Sequence, residues 1–199
     1  MKYVMATHNS NKLLELQRIL EPLHIEVTTA DLQEVKETGT TFAENAYLKA
    51  KAACEQTGLP AVADDSGLVV DALNGAPGVY SARYAGPDAT DAQRMDKLLH
   101  ELDGVPAEQR TARFVSAICV VYPDGERMDV EGVCEGSVAF APRGHDGFGY
   151  DPIFLVPPYV QTSAELTEEE KNAISHRGNA LRSMRLKIEE YINEGTDCK

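Results

Sequence analysis

The sequence predicts an α/β protein built on a mixed β-sheet. A short stretch over 2–7 that reads as a buried strand and a β-branched stretch over 25–30 flank a segment over 11–20 with apolar residues at helical spacing, which is typical of strands joined through a helix. Two long apolar stretches, 110–122 and 126–140, are separated only by the turn sequence Pro-Asp-Gly, which predicts a hairpin. Because helix-joined and hairpin-joined strands both occur, the sheet should contain parallel and antiparallel pairs.

The helices are predicted from capping signals and apolar spacing. In the first helix the apolar face is Leu13, Leu16 and Leu20. Capping-box pairs mark the starts of three more helices: Thr41 with Glu44, Thr90 with Gln93, and Thr167 with Glu170. The second of these helices has Met95, Leu98, Leu99 and Leu102 inside, and the third extends to about Ile174. The apolar pattern predicts the last helix over 179–192, with Leu181, Met184, Ile188 and Tyr191 on one face.

The remaining segments complete one domain over 1–199 without a separate linker. Residues 61–64 and 68–73 read as two short strands around Ser66-Gly67, a turn-forming pair. The glycine- and proline-rich stretches 74–89 and 142–152 are predicted loops, and the second leads into a short apolar strand.

Composition and charge exclude several classes of function. The net charge of −13 argues against a broad nucleic-acid-binding surface. We find no signal peptide, and no run approaches the roughly 18–20 apolar residues that span a bilayer, so we expect no membrane partner. The four cysteines lack metal-site or redox-motif spacing, which favours free thiols and a cytoplasmic protein.

Polar residues after the first strand form a candidate anion site. Thr7, His8, Asn9, Ser10, Asn11 and Lys12 lie between a predicted strand and a predicted helix. A helix N-terminus offers unpaired N–H groups and the positive end of a dipole, and both suit phosphate. Ordinary helix capping by Asn9, Ser10 or Asn11 explains the same residues without a ligand.

Adjacent carboxylates after an apolar run form a candidate metal site. Asp64 or Asp65, with Glu37, could hold Mg²⁺, which prefers oxygen ligands from one or two carboxylates together with substrate phosphates. The alternative is a simple turn, because Asp-Asp-Ser-Gly is good turn chemistry. Neighbouring strand residues point to opposite faces, so only one aspartate should face a given site.

Two later stretches could recognise a planar ring. In 144–154 the glycines allow close backbone approach, Phe148 and Tyr150 offer stacking faces, and Asp151 can accept from a ring N–H. The alternative is a tight loop whose aromatic rings lie in the core. Ser175 as a cap would place His176 and Arg177 in the first turn of the last helix, where cations oppose the helix dipole. An anion or a ring carbonyl would explain them, as would a solvated Arg beside a partly buried His.

Together these stretches resemble one enzyme family. The segments THNSNK, TFAENAYLKA, ADDSGLVVDALNGAPGVYSARYAG, GFGYDPIF and AELTEEEKNAISHRGNAL strongly resemble the inosine triphosphate pyrophosphatases, which hydrolyse ITP, dITP and XTP. The likeness runs in order from about Val4 to Ile192. It implies a long, curved mixed sheet that divides two lobes, a substrate cleft between them, and a homodimer.

The resemblance also implies roles for individual residues. Thr7 to Lys12 would surround the triphosphate together with Lys49, although His8 stands where relatives commonly have Gly. Glu37 and Asp65 would bind Mg²⁺, with Asp65 as the catalytic proton acceptor. Further residues implied to contact the substrate are Ser66, Phe148, Gly149, Tyr150, Asp151, Lys171, His176 and Arg177.

The resulting expectation is a pyrophosphatase that converts noncanonical purine triphosphates to monophosphate and pyrophosphate. Two alternatives stay open at this point. One is a related pyrophosphatase for other modified nucleotides, and the other is a nucleotide-binding protein that does not hydrolyse. In every case the partner is a small-molecule nucleotide.

Overall fold

The structure is a computed structural model that describes residues 1–7, 9–33 and 35–196 of the chain. The strands are β1 (Lys2–Met5), β2 (Glu26–Thr28), β3 (Ala61–Val70), β4 (Thr111–Val121), β5 (Arg127–Val138) and β6 (Phe154–Leu155). The α-helices are α1 (Ser10–Leu20), α2 (Phe42–Thr57), α3 (Asp91–Glu101), α4 (Glu168–Ile174) and α5 (His176–Thr196).

The six strands form one sheet in the order β2-β1-β3-β4-β5-β6. Strand β1 pairs in parallel with both β2 and β3, so that Val4 lies opposite Thr28 on one side and Ala61 on the other. Strand β6 pairs antiparallel with β5. The predicted α/β fold with a mixed sheet is therefore confirmed.

Strand β3 differs from the prediction of two short strands. It runs unbroken from Ala61 to Val70 through Ser66-Gly67. Because β3 has a hydrogen-bonded neighbour on each side, pairing along its length overrides the local turn preference of these two residues. The predicted strand was also too long at its end, since Asp71–Leu73 forms a 3-10 helix.

The helix starts agree closely with the capping signals. Capping boxes are present at Thr41, Thr90 and Thr167, where side chain and backbone satisfy each other's hydrogen bonds. Helix α5 begins at His176, three residues earlier than its apolar pattern indicates, and this start follows Ser175 as the cap prediction requires. No helix in the described ranges is long and apolar enough to cross a membrane.

The chain divides into two compact units. The first comprises residues 1–65, 116–132 and the segment from Arg177 onward. Its core is formed by one face of α1 and one face of α5 with residues of β1, β2, β3 and β4. The predicted faces are confirmed, because Leu16, Leu20, Met184 and Ile188 are fully buried there.

The second unit comprises Ser66–Val115 and Val133–His176. Its core contains the buried face of α3 (Met95 and Leu98) with Leu102, together with Phe154 and Tyr150. The three cysteines in the described part of the chain, Cys54, Cys119 and Cys134, are free and buried.

Candidate active site

The adjacent aspartates of β3 have separate sets of partners. Asp64 is 4% exposed and contacts Lys12 and Arg177. The Asp65 side chain is 14% exposed and contacts Asn45 and Lys49. This separation follows from the alternation of side chains along a strand. All of these residues belong to the first unit.

Two cations share the buried carboxylate of Asp64. Lys12 Nζ donates to Asp64 Oδ2 over 2.7 Å, and Arg177 Nε lies 3.6 Å from the same oxygen. Burial alone would raise the pKa of Asp64, but the charges of Lys12 and Arg177 outweigh it and lower the pKa below its ordinary value. Arg177 also lies 3.8 Å from Glu15, which is partly exposed. Asp64 is therefore ionised at neutral pH and holds both cations in place.

Two carboxylates share the ammonium of Lys49. Its Nζ lies 2.8 Å from Glu37 Oε1 and 3.3 Å from Asp65 Oδ1. Burial lowers the pKa of Lys49, but Asp65 and Glu37 reverse this and the pKa is raised. The pKa of Asp65 is also raised, because burial and the charge of Glu37 together exceed the effect of Lys49. The group therefore carries surplus negative charge.

The donor set around Lys49 fits a divalent cation. Glu37 Oε1 and Asp65 Oδ1 both contact Lys49 Nζ. The separation of these two oxygens therefore cannot exceed the sum of their distances to that nitrogen. Mg²⁺ is usually held by one or two carboxylates, with water and phosphate completing its shell. Among the described residues no group of three or more His, Cys, Asp or Glu could hold a metal ion.

The residues after β1 carry out helix capping. Thr7 Oγ1 accepts from Asn9 N over 3.1 Å, and Asn9 Oδ1 accepts from Lys12 N over 3.3 Å. Helix α1 begins at Ser10 and has no acidic residue in its first turn. Its positive end is therefore not neutralised locally, so capping and anion binding are compatible here. His8 and the side chain of Asn11 lie outside the described part of the chain.

In the second unit, Asp151 organises the predicted ring-binding loop. Asp151 is buried, and its Oδ2 accepts from Lys171 Nζ over 2.6 Å and from Phe148 N over 3.0 Å. Gly147 has φ +84°, and a Cβ at this position would collide with the Asp151 carboxylate and the Lys171 ammonium. The glycine is thus required by close packing as well as by backbone conformation.

The two aromatic residues of this loop differ in exposure. Phe148 is 61% exposed and lies beneath the Lys171 ammonium, which is 5.6 Å from the ring centre. Tyr150 is 4% exposed, and its hydroxyl donates to the carbonyl of Ser81 over 2.9 Å. Of the two alternatives that the sequence left open, the structure favours a ring turned into the core for Tyr150, because its hydroxyl has a buried acceptor.

The second unit contains a small cavity beside the loop of Asp151 and the residues that precede α5. His176 stacks on Phe114 with ring centres 4.9 Å apart. Both line the cavity together with Cys134, Phe154, Asp151 and Lys171. Ser66 is half-buried in β3, directly after Asp65.

Two organising residues were absent from the predicted site. Asn45 donates to Asp65 Oδ2 over 3.1 Å, and Asp91 accepts from Gly149 N over 2.6 Å. Asn45 carried one signal in the sequence, since it is a polar residue one turn into α2 that lies on the buried side of the helix. Nothing in the sequence singles out Asp91, because the helix dipole already explains an acidic residue in the first turn of a helix.

Comparison with known proteins agrees with the mixed α/β fold. A family model described as the Ham1 family matches residues 3–187. The chain belongs to the Ham1 family. A relative from Geobacillus kaustophilus named dITP/XTP pyrophosphatase is 52% identical over 193 residues, which cover 95% of each chain.

Solved structures of Ham1 proteins have the same fold as this chain. A HAM1 protein from Coxiella burnetii has a TM-score of 0.91 at 47% identity, covering 96% of this chain and 99% of that one. The Ham1 protein from Staphylococcus aureus has a TM-score of 0.90 at 40% identity, covering 96% and 100%. The resemblance found in the sequence is confirmed.

Proposed function

We propose that this chain hydrolyses noncanonical purine nucleoside triphosphates, namely ITP, dITP and XTP, to the nucleoside monophosphate and pyrophosphate. The observation that carries the proposal is the convergence of Glu37 and Asp65 on Lys49, with Lys12 bound to the neighbouring Asp64. The names of relatives at about half identity over nearly the whole chain support the same activity.

In the proposed reaction the residues of the first unit act on the phosphates. Asp65 orients a water molecule and accepts its proton as the oxygen attacks the α-phosphorus. The bond from that phosphorus to the bridging oxygen breaks, and pyrophosphate leaves. Lys12 and Lys49 stabilise the negative charge of the leaving group.

We assign a Mg²⁺ site to Glu37 and Asp65. When bound, the ion would polarise the phosphoryl group and neutralise charge on the triphosphate. The surplus negative charge around Lys49 supports this assignment. A divalent cation at this position would also offset the net charge of −13, which otherwise repels an anionic substrate.

We assign recognition of the base to Phe148, Lys171, His176 and Arg177. Hypoxanthine and xanthine present a 6-oxo acceptor, whereas adenine presents a 6-amino donor. Asp151 holds the Lys171 ammonium in place, and Asp64 holds the Arg177 guanidinium. The N–H groups that these two donors direct at position 6 of the base would lack an acceptor if adenine were bound. Sites of this kind reject a mismatched analogue by roughly 10⁴-fold or more.

A panel of triphosphates tests the proposal. ITP, dITP, XTP, ATP, GTP and methylated or pyrimidine triphosphates are incubated with the protein, with and without Mg²⁺, and pyrophosphate is measured. We expect release from the deaminated purines only, and only with Mg²⁺. Release mainly from other nucleotides would favour a related pyrophosphatase, and binding without release would favour a nucleotide sensor.

Substitution of Asp65 tests the assigned chemistry. Asp65→Asn keeps the size of the side chain and an acceptor for Asn45, so the fold should persist. Turnover of dITP should fall by about three orders of magnitude, since removal of a catalytic acid–base group typically costs 10²–10⁴-fold. Circular dichroism serves as the control for folding. Near wild-type turnover would show that Asp65 is not the proton acceptor.

Two further properties complete the proposal. The family resemblance implies a homodimer, which sedimentation velocity at several concentrations would test. We also propose a cytoplasmic location, which the free, buried cysteines within the described ranges support, because free thiols persist in reducing compartments.

A further inference from the structure

The side chain of Asn45 is a fully buried amide inside α2. It is 0% exposed, although asparagine is among the residues most often found at protein surfaces. A buried amide is costly unless its donors and acceptor are satisfied. Its partners should therefore explain why a polar residue is placed there.

The partners of Asn45 belong to the two carboxylates assigned to the metal. Its Oδ1 accepts from Gly39 N over 2.8 Å, and its Nδ2 donates to Asp65 Oδ2 over 3.1 Å. The amide orientation follows from chemistry, since a backbone N–H can only donate and must face the oxygen. One side chain thus connects the backbone two residues after Glu37 with the carboxylate of Asp65.

Each bond restricts one predicted metal ligand. With Asp65 Oδ2 engaged by Asn45, the other oxygen, Oδ1, is directed to Lys49. Glu37, two residues before Gly39, contacts the same Lys49 nitrogen. Asn45 thus ties the carboxylate of Asp65 to the backbone near Glu37, and both carboxylates meet at the Lys49 nitrogen.

Gly39 makes this arrangement possible. A Cβ at Gly39 would lie 2.7 Å from Asn45 Oδ1 and 2.7 Å from Glu44 Cβ. Any larger residue would push the segment away from α2. The start of α2 cannot easily yield, because Glu44 Oε2 accepts from the backbone of Thr40 and Thr41 in the capping box.

We infer that Asn45 is a positioning residue that orients both carboxylates of the metal site. The inference rests on the proposed function and adds a residue to it. Both ends of the Asn45 amide are engaged by protein groups, Gly39 N and the Asp65 carboxylate. Asn45 acts through Asp65 and Glu37, in the way that outer hydrogen bonds orient metal ligands in other proteins.

Metal binding is the readout that a merely structural role would not change. Mn²⁺ is titrated into the full-length protein with pyrophosphate present and followed by electron paramagnetic resonance, and the Mg²⁺ concentration for half-maximal dITP hydrolysis is measured in parallel. For Asn45→Ala we expect both constants to rise about 10- to 100-fold, the usual effect of losing an outer-shell partner.

Two further variants make the test decisive. Ala53→Gly, in the same helix but away from both carboxylates, controls for lost stability and should bind Mn²⁺ within about threefold of wild type. Gly39→Ala disturbs the same contact from the other side and should weaken Mn²⁺ binding in the same direction as Asn45→Ala. It also serves if Asn45→Ala fails to fold.

The possible failures are distinguishable. If folded Asn45→Ala or Gly39→Ala binds Mn²⁺ as tightly as Ala53→Gly, the inferred role of Asn45 is overturned while the metal site stands. If the wild-type protein neither binds Mn²⁺ nor needs Mg²⁺, the metal site itself is overturned, and the inference with it.

Discussion

At the scale of the residue, two neighbouring aspartates show how surroundings separate chemically identical groups. The pKa of Asp64 is lowered despite burial, because Lys12 and Arg177 contribute two positive charges. The pKa of Asp65 is raised by burial and by Glu37, which together exceed the opposing effects of Lys49 and of the hydrogen bond from Asn45. Asp64 therefore stays ionised beside its two cations, whereas Asp65 binds a proton more readily than a free aspartate does.

Removing the charge of Asp64 should destabilise the protein. Asp64→Asn keeps the shape but leaves the Lys12 ammonium and the Arg177 guanidinium without their buried counter-charge. Breaking such a pair typically costs about 3–5 kcal/mol, and the residual exposure of Lys12 reduces this to about 2–3 kcal/mol. Urea unfolding at pH 7 measures the change in the free energy of unfolding.

The matched control for Asp64 is the exposed Asp96 in α3. Asp96→Asn should change the free energy of unfolding by no more than about 0.5 kcal/mol, as is usual for surface substitutions. If Asp64→Asn and Asp96→Asn had equal effects, Asp64 would not be the anion on which Lys12 and Arg177 depend.

At the scale of the element, α3 fixes the loop that presents Phe148. Asp91 accepts from Gly149 N over 2.6 Å and pairs with Arg94 over 2.6 Å. The preceding amide, of Phe148, is held by Asp151. An exposed aromatic ring on a loop with two successive anchored amides is already oriented for stacking, which lowers the entropy cost of binding.

The contact with α3 should determine the order of this loop. Because the chain contains no tryptophan, Phe148→Trp introduces a single fluorescent reporter. Adding Asp91→Ala should lower the fluorescence anisotropy of Trp at 148 and raise its quenching by acrylamide. It should also raise the KM for dITP about tenfold with little change in kcat, since a stacking contact made in both ground and transition states is weakened.

Arg94→Ala in the same reporter background separates the loop contact from the stability of α3. This change removes the ion pair but leaves the bond from Gly149 N to Asp91. We expect the anisotropy to stay at the value of the reporter protein alone. An equal loss of anisotropy in both variants would mean that α3 as a whole, and not the Asp91 contact, orders the loop.

Elements with local signals were predicted well from the sequence. The capping boxes at Thr41, Thr90 and Thr167 involve residues three positions apart, so the pattern contains the whole interaction. Strand β3 was predicted as two pieces because its continuity depends on β1 and β4, which are distant in sequence.

The same distinction applies to the candidate site. The family resemblance implied Asp65, Glu37 and Lys49, and the structure brings these three together. The sequence did not indicate Asn45 or Asp91, whose partners are an aspartate 20 residues away and a backbone amide 58 residues away. For Tyr150 the sequence left a stacking face and a core ring open, because composition does not say on which side of a loop a ring lies.

At the scale of the whole molecule, charge is the dominant property. The chain has 32 acidic and 19 basic residues, and the resulting net charge of −13 favours solubility but opposes compaction through self-repulsion. Exposed ion pairs such as Lys2–Glu26 and Arg127–Asp129 offset little of this, because surface pairs are worth about 0–1 kcal/mol.

Salt should therefore stabilise the protein at neutral pH. Raising NaCl from about 20 to about 200 mM shortens the Debye length to below about 10 Å, which screens repulsion among the surplus carboxylates more than it weakens the buried Lys12–Asp64 pair. We expect the melting temperature at pH 7 to rise by a few degrees. Near the isoelectric point, where the surplus charge is absent, the same change in salt should give no rise. A melting temperature that falls with salt at pH 7 would mean that attractive surface pairs, and not net repulsion, control the stability of the molecule.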